Sequence, residues 1–91
     1  MKIKVRYFAS IRERLNKSEE EFEIENNITL KDFIQRLSKN QEVKEVLFES
    51  EELKRNVLVA HNAVTVNKAD LDKIILKDND VVAFFPVISA G

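Results

Sequence analysis

The strongest constraint on this chain is an apolar run near its end, residues 81–85, which reads Val-Val-Ala-Phe-Phe. The run is rich in β-branched and aromatic side chains, and it lies between a polar segment, residues 78–80, and Pro86. Such a pattern predicts a buried strand entered from a turn. Because Pro86 has no N–H to donate, we expect strand pairing to stop there. We therefore expect a core strand that leads into a short projecting segment, which ends at Gly91, the chain's only glycine.

The first segment, residues 2–8, alternates between the two faces of a predicted strand. One face carries Ile3, Val5 and Tyr7, and the other carries Lys2, Lys4, Arg6 and Phe8. We expect the second face to be solvated or reserved for a partner. If Phe84 joins the core, Phe85 points outward into the layer of Phe8, and aromatic and basic side chains then form an interaction surface. A strand phase shifted by one residue places both Phe8 and Phe85 in the core instead.

Between these two ends, the pattern predicts a mixture of strands and helices. Thr29 is expected to cap a helix that ends near Asn40 and whose apolar stripe covers the core. The acidic stretch at residues 49–52 is interpreted as the solvated end of a second short helix. The other predicted elements are a helical or turn connection at 9–15, strands at 21–25 and 56–61, a turn at 62–63 and a short returning strand at 64–66.

Two sequence blocks at opposite ends of the chain resemble one protein family. The blocks are Ile3-Lys4-Val5 with Tyr7-Phe8-Ala9-x-x-Arg12-Glu13, and Asp80-x-Val82-Ala83-Phe84-Phe85-Pro86 followed by five residues to the terminal glycine. Both resemble the small, sulfur-carrying subunit of molybdopterin synthase, which is one of the ubiquitin-like sulfur carriers. Two positions depart from the family pattern. Val87 stands where a second proline is usual, and Ala90 stands where the first glycine of a terminal Gly-Gly pair belongs.

The resemblance implies an α+β fold of the ubiquitin-like β-grasp type. This fold is a mixed sheet of about four to five strands with a helix packed across one face. The first and last strands are expected to lie parallel and adjacent at its centre. The implied division is a β-grasp domain at residues 1–86 and a projecting C-terminal tail at residues 87–91.

The resemblance also implies a function in which the chain is a co-substrate rather than a self-contained enzyme. An E1-like adenylating enzyme uses ATP to activate the Gly91 carboxylate, and a sulfur donor converts it to a thiocarboxylate. The thiocarboxylate then gives its sulfur to the pterin precursor in complex with the synthase large subunit. The chain itself is expected to bind no cofactor and no metal. The residues implied are Ser89 and Ala90 in the tail beside Gly91, and Phe8, Arg12, Phe85 and Pro86 for partner binding.

Two other functions remain open at this point. The chain could be a ubiquitin-like modifier that is activated in the same way but is then conjugated to lysines of other proteins. It could also be a binding module that carries no sulfur, because Ala90 replaces the usual glycine. If the bound tail needs a positive φ at this position, alanine costs roughly 1 to 2 kcal/mol there.

Composition excludes several other classes of function. The chain has no cysteine, so disulfides, thiolate metal sites and cysteine nucleophiles are excluded. A net charge of -1 gives no support for nucleic-acid binding. No window approaches the roughly 18 to 20 apolar residues of a membrane span, and the N-terminus lacks the apolar segment of a signal peptide. We therefore expect a cytoplasmic protein that has neither nucleic acid nor membrane as a partner.

Overall fold

The computed structural model describes residues 1–87. Its elements in chain order are β1 (Lys2–Tyr7), α1 (Ala9–Leu15), β2 (Glu19–Glu23), α2 (Leu30–Leu37), α3 (Gln41–Leu47), β3 (Phe48–Glu49), β4 (Glu52–Leu53), β5 (Val57–His61), β6 (Val64–Val66), a 3₁₀ helix (Lys68–Lys73) and β7 (Val81–Pro86). Within these residues, no helix has both the length and the apolar character that a membrane span requires.

Five of the strands form one mixed sheet in the order β2-β1-β7-β5-β6. The first strand, β1, runs parallel to the last, β7, with Val5 opposite Val82 and Tyr7 opposite Phe84. The other neighbouring strands are antiparallel. This arrangement confirms the predicted β-grasp fold, in which the first and last strands lie side by side at the centre of the sheet.

The core lies between one face of this sheet and α2. The helix begins at a capped end, because Thr29 Oγ1 accepts a hydrogen bond from the Asp32 backbone N–H at 3.0 Å. Such a cap typically stabilises a helix by about 1 kcal/mol. Phe33, at the centre of the apolar stripe of α2, packs edge-to-face on Phe22 of β2 with ring centroids 5.5 Å apart. The residues that α2 buries against the sheet are Leu30, Phe33, Ile34 and Leu37.

Several predicted boundaries differ from the structure for local reasons. Strand β2 starts at Glu19 rather than at residue 21, because Arg6 of the long β1 pairs with Glu19. Helix α2 ends at Leu37 rather than near Asn40, because the Asn40 side chain caps the next helix. Its Oδ1 accepts from the backbone N–H of Glu42 at 3.0 Å.

The acidic stretch at residues 49–52 is not a helix end, and that prediction was wrong. It is the turn of a two-stranded hairpin in which Phe48 pairs with Leu53. The turn is made by Ser50, whose φ of 58° lies in the left-handed region. Phe48 is only 5% exposed, and Leu53 packs against the core from its half-buried position. These two apolar side chains anchor the hairpin, so the glutamates between them project into solvent.

Candidate functional site

The face of the sheet turned away from α2 carries the aromatic and basic side chains that were predicted to form an interaction surface. We call this surface the open face and define it by Arg6, Phe8, Ala83, Phe85 and Leu58 with their neighbours in register. The predicted strand phase is confirmed, because Phe84 is 0% exposed whereas Phe85 is half-buried. The alternative phase, with Phe85 in the core, is excluded by the same burial pattern.

Three side chains form an apolar patch on the open face: Phe8, Phe85 and Leu58. The rings of Phe8 and Phe85 are stacked, with centroids 4.7 Å apart and an interplanar angle of 19°. Leu58 lies opposite Phe85 in the β5–β7 register and is 39% exposed. Exposed aromatic and aliphatic groups that cluster in this way are typical of interaction surfaces.

Charged residues continue the open face from the apolar patch towards the β2 edge. The guanidinium carbon of Arg6 lies 5.1 Å from the centroid of the Phe8 ring, which is the geometry of a cation–π contact. Lys4 Nζ lies 3.9 Å from Glu19 Oε2, and Lys2 Nζ lies 3.9 Å from Glu21 Oε2. All four of these paired side chains are largely exposed, so each pair is worth little to stability.

The chain leaves the sheet next to the apolar patch, at the end of β7. Pro86 lies opposite Val57, and the Val87 backbone N–H then donates to the Asn56 carbonyl oxygen at 2.7 Å. Strand β7 ends at Pro86, as predicted, although one further backbone hydrogen bond follows it. Pro86 has no N–H of its own, but nothing prevents the next residue from donating. The predicted tail residues Ser89, Ala90 and Gly91 lie outside the described residues.

Arg12, the other predicted partner-binding residue, lies exposed on α1. Its backbone N–H donates to the Phe8 carbonyl oxygen at 3.3 Å, so the turn that contains Phe8 also begins the helix of Arg12. Its side chain forms no ion pair with any other residue between 1 and 87. The structure thus brings Phe8, Phe85 and Pro86 together at one end of the sheet and leaves the guanidinium of Arg12 in solvent.

Sequence reasoning missed a polar cluster at the opposite end of β7, built around the buried carboxylate of Asp80. This side chain accepts from the Lys77 backbone N–H and from Asn62 Nδ2, each at 2.9 Å, and its Oδ2 lies 2.7 Å from His61 Nε2. Burial acts to raise the pKa of Asp80, but the hydrogen bonds from Asn62, His61 and Lys77 outweigh it, so the net shift is downward. The sequence signal for this cluster was an aspartate directly before an apolar strand. That signal does not identify the partners of the aspartate, because they lie in a turn that is distant in sequence.

The Asp80 cluster joins the β5–β6 turn to the start of β7. The Asn62 backbone N–H donates to the Val81 carbonyl oxygen at 2.8 Å, and the Val81 N–H donates to Asn62 Oδ1 at the same distance. His61, the last residue of β5, is packed into this cluster through its contact with Asp80. Among residues 1–87, no three histidine, aspartate or glutamate side chains are grouped closely enough to hold a metal ion.

A cleft of about 430 Å³ opens on the helical side of the molecule. It lies between α2, the β3–β4 hairpin and the 3₁₀ helix, with Ile34, Phe48 and Leu71 among its lining residues. Lys68 also lines it and donates from Nζ to the Lys54 carbonyl oxygen at 2.8 Å. Burial lowers the pKa of this ammonium group. Its lining contains two lysines, Lys31 and Lys68, and two carboxylates, Glu52 and Asp72, so it shows no preference for one charge of ligand.

Comparison with known proteins agrees with the β-grasp fold. A model of the ThiS family matches residues 5–91. Among solved structures, SAMP1 of Haloferax volcanii has a TM-score of 0.79 and 19% identity, with 100% of both chains covered. A candidate molybdopterin converting factor subunit 1 from Pyrococcus furiosus has a TM-score of 0.71 and 29% identity, with 97% of this chain and 99% of that chain covered.

A third solved structure contains a partner. In the complex of subunits 1 and 2 of the molybdopterin-converting factor from Helicobacter pylori, the matching chain has a TM-score of 0.68 and 22% identity, with 100% of both chains covered. A search of curated protein sequences gives no match. Because the family model spans nearly the whole chain, this protein belongs to the ThiS family of ubiquitin-like β-grasp proteins.

Proposed function

We propose that this protein is a sulfur carrier for the synthesis of molybdopterin, the organic part of the molybdenum and tungsten cofactors. The observation that carries the proposal is the position of the apolar patch. Phe8 stacks on Phe85 on the sheet face turned away from α2, directly before the segment that ends in Gly91. A docking surface next to a C-terminal segment is the arrangement that delivers a terminal carboxylate into a partner's active site.

The terminal carboxylate supplies the reacting group. A free α-carboxyl group has a reference pKa of roughly 3.3 to 3.7, so it is ionised at neutral pH and is able to attack the α-phosphate of ATP. The E1-like partner would catalyse this step, in which pyrophosphate leaves. A sulfur nucleophile at the oxidation level of sulfide would then attack the carbonyl carbon and displace AMP to leave a thiocarboxylate. Gly91 has no Cβ, so nothing crowds its carbonyl carbon during this second attack.

The length of the tail fits this role. Residues 87–91, fully extended, span at most about 17 Å, which allows a carboxylate to enter a narrow tunnel while the sheet stays outside. The tail would meet two active sites in turn, that of the adenylating enzyme and that of the synthase large subunit. The Helicobacter pylori complex shows that a protein with this fold assembles with a second subunit. We extend this to our chain, with the cytoplasm as the expected location.

A second candidate function is protein modification. It is favoured by the similarity to SAMP1 of Haloferax volcanii, a small archaeal modifier protein. A carrier and a modifier share the adenylation step and differ only in the group that attacks the activated Gly91. In a carrier the attacking group is a sulfur nucleophile, and in a modifier it is the amine of a lysine on another protein. The fold and the apolar patch fit both roles, and the 29% identity to the molybdopterin converting factor subunit 1 structure favours the carrier.

The deciding experiment is an intact-mass measurement after co-expression with the adenylating enzyme and the sulfur donor of the same organism. A carrier gains the mass difference of one sulfur replacing one oxygen at its terminus, and a variant lacking Gly91 does not. A modifier instead appears on other proteins, joined through an isopeptide bond between Gly91 and a lysine. A protein that binds the adenylating enzyme but shows neither product is the binding module that Ala90 left open. Transfer of the sulfur to the pterin precursor by the purified large subunit then tests the molybdopterin assignment itself.

A further inference from the structure

One cation on the open face has a different environment from its neighbours. Lys2 and Lys4 each lie 3.9 Å from a glutamate of β2, whereas Arg6 has no carboxylate within 4.0 Å among residues 1–87. Its register partner Glu19 is the residue that pairs with Lys4. The Arg6 side chain also forms no hydrogen bond with any residue of that range, so all of its N–H donors face solvent or a partner.

The guanidinium of Arg6 is held in place by an aromatic ring rather than by a charge. Its Cζ lies 5.1 Å from the Phe8 centroid, and Phe8 is itself stacked on Phe85 at 4.7 Å. A guanidinium in contact with an aromatic ring keeps its donor fork available, and this fork matches the two oxygens of a carboxylate. Because the stack restricts the side chain before binding, less conformational entropy is lost when a carboxylate arrives.

The surface beside Arg6 is low enough for a partner side chain to reach it. In register with Arg6 on the next strand is Ala83, and in register with Ala83 is Ala60. Both side chains are single methyl groups that their neighbours bury almost completely, so neither projects between the Arg6 guanidinium and a partner. The apolar patch of Phe8, Phe85 and Leu58 borders this position. One contact area therefore combines an aromatic pair, an aliphatic side chain and an unpaired cation.

We infer that the open face selects a protein partner that presents an acidic side chain next to an apolar one. The carboxylate pairs with Arg6 over Ala83, and the apolar side chain covers Phe85 and Leu58. The inference rests on the proposed function, in which the first partner is the adenylating enzyme. To the proposed function it adds the side-chain contacts by which that enzyme recognises this chain. Both the carrier and the modifier need this encounter, so the inference holds for either.

The test measures the Kd of the adenylating enzyme of the same organism for the wild type and for three variants of the full chain. Reversing the charge with Arg6→Glu places like charges together and should weaken binding by about 30-fold or more. Arg6→Lys keeps the charge but loses the fork and should weaken binding by about three- to tenfold. The matched control Lys2→Glu reverses a charge on the same face that is already paired with Glu21, and it leaves Glu19 paired with Lys4. It should weaken binding by less than about threefold.

A second measurement locates the partner's carboxylate. Exposed acidic residues of the adenylating enzyme are changed singly to lysine, and one such variant should bind Arg6→Glu more tightly than it binds the wild type. Thermal unfolding of Arg6→Glu should show only a small loss of stability, because Arg6 is exposed and the one new unfavourable contact is with its register partner Glu19. This control separates a docking defect from a folding defect.

Four other outcomes are possible, and each contradicts either the inference alone or the proposed function as well. If the wild type binds the adenylating enzyme and gains sulfur, but Arg6→Glu binds equally well, the inference fails and the proposed function stands. Equal losses for Arg6→Glu and Lys2→Glu would show that the overall charge of the face, rather than a local pair with Arg6, controls binding, and the inference would fail. Tighter binding by Arg6→Glu would show that the partner presents a cation at this position and would also overturn the inference. If the wild type does not bind the enzyme at all, the proposed function and the inference fail together.

Discussion

Phe84 and Phe85 are adjacent in β7, yet their rings serve opposite sides of the sheet. Phe84 is 0% exposed and stacks on Tyr7 in the core, with ring centroids 6.2 Å apart. Phe85 stacks on Phe8 on the open face at 4.7 Å. The parallel pairing of β1 with β7 produces this division, because it sets Tyr7 beside Phe84 and brings Phe8, the residue that follows β1, next to Phe85. We therefore predict that Phe84 serves stability and that its neighbour Phe85 serves partner binding.

This division predicts opposite effects for two alanine substitutions. Phe84→Ala should lower the free energy of unfolding by about 3 to 5 kcal/mol, the usual cost of truncating a buried aromatic ring. Phe85→Ala should cost clearly less in stability but about 2 kcal/mol or more in binding to the adenylating enzyme. Urea denaturation and a binding titration on both variants check the pair. If Phe85→Ala unfolds the protein while Phe84→Ala does not, the assignment of the faces is wrong.

The Asp80 cluster predicts a pH dependence of stability. The folded-state pKa of Asp80 is below the usual value of 3.8, so the ionised form is favoured by folding. Its stabilising contribution is fully present above about pH 4 and is lost as the pH falls through the folded-state pKa. Asp80→Asn should therefore cost about 1 to 3 kcal/mol near neutral pH, because an amide cannot accept at both oxygens. The difference from the wild type should shrink below pH 4.

Urea unfolding of both proteins between pH 2 and pH 7 measures this difference. Asp72→Asn is the matched control, because this aspartate is exposed and accepts no hydrogen bond from any residue between 1 and 87. Its unfolding free energy should stay close to that of the wild type at every pH. A constant gap between Asp80→Asn and the wild type down to pH 2 would show that packing, rather than ionisation, accounts for the role of Asp80.

The β5–β6 turn contains a backbone strain that a single substitution should relieve. Asn62 and Ala63 have φ values of 48° and 70°, which lie in the left-handed region. Asparagine adopts this region readily, whereas alanine adopts it only at a cost in free energy. Alanine there costs roughly 1 to 2 kcal/mol, and glycine costs roughly 0.5 to 1 kcal/mol in unfolded-state entropy. Ala63→Gly should therefore raise the free energy of unfolding by about 0.5 to 1 kcal/mol. Ala69→Gly, on the 3₁₀ helix, should lower it instead, and a loss at both sites would contradict the argument.

Local patterns were enough to predict the central elements. Alternation in β1 and β7 indicated which side chains enter the core, and Thr29 indicated where α2 begins. These signals work because one residue and its near neighbours determine them. The resemblance to a known family added the parallel pairing of the first and last strands, which periodicity alone does not contain.

The contacts that define the open face could not be predicted in the same way. Arg6 lies over Phe8, while Lys4 reaches Glu19 diagonally across the β1–β2 pair. Asp80 is satisfied by groups from a turn nearly twenty residues earlier. The hairpin at Phe48 was missed because a run of glutamates resembles a solvated helix end. Whether Phe48 and Leu53 on either side of the run pair with each other is not visible from the local pattern. In each case the deciding contact depends on how distant segments align.

The last prediction concerns Ala90, the departure from the terminal Gly-Gly pair, and it separates docking from activation. Ala90→Gly should leave the Kd for the adenylating enzyme nearly unchanged, because docking is proposed to use Phe8 and Phe85 on the sheet. It should raise the rate of adenylation or leave it the same, because a misplacement near 1 Å at a reacting group can cost on the order of a hundredfold. Glycine removes the methyl group of the residue next to Gly91 and permits every backbone conformation that alanine permits. A single-turnover adenylation assay on both proteins decides the question. Activation of the glycine variant about tenfold more slowly would show that the partner's tunnel is shaped for the methyl group, and that Ala90 is an adaptation of this chain to its own enzyme.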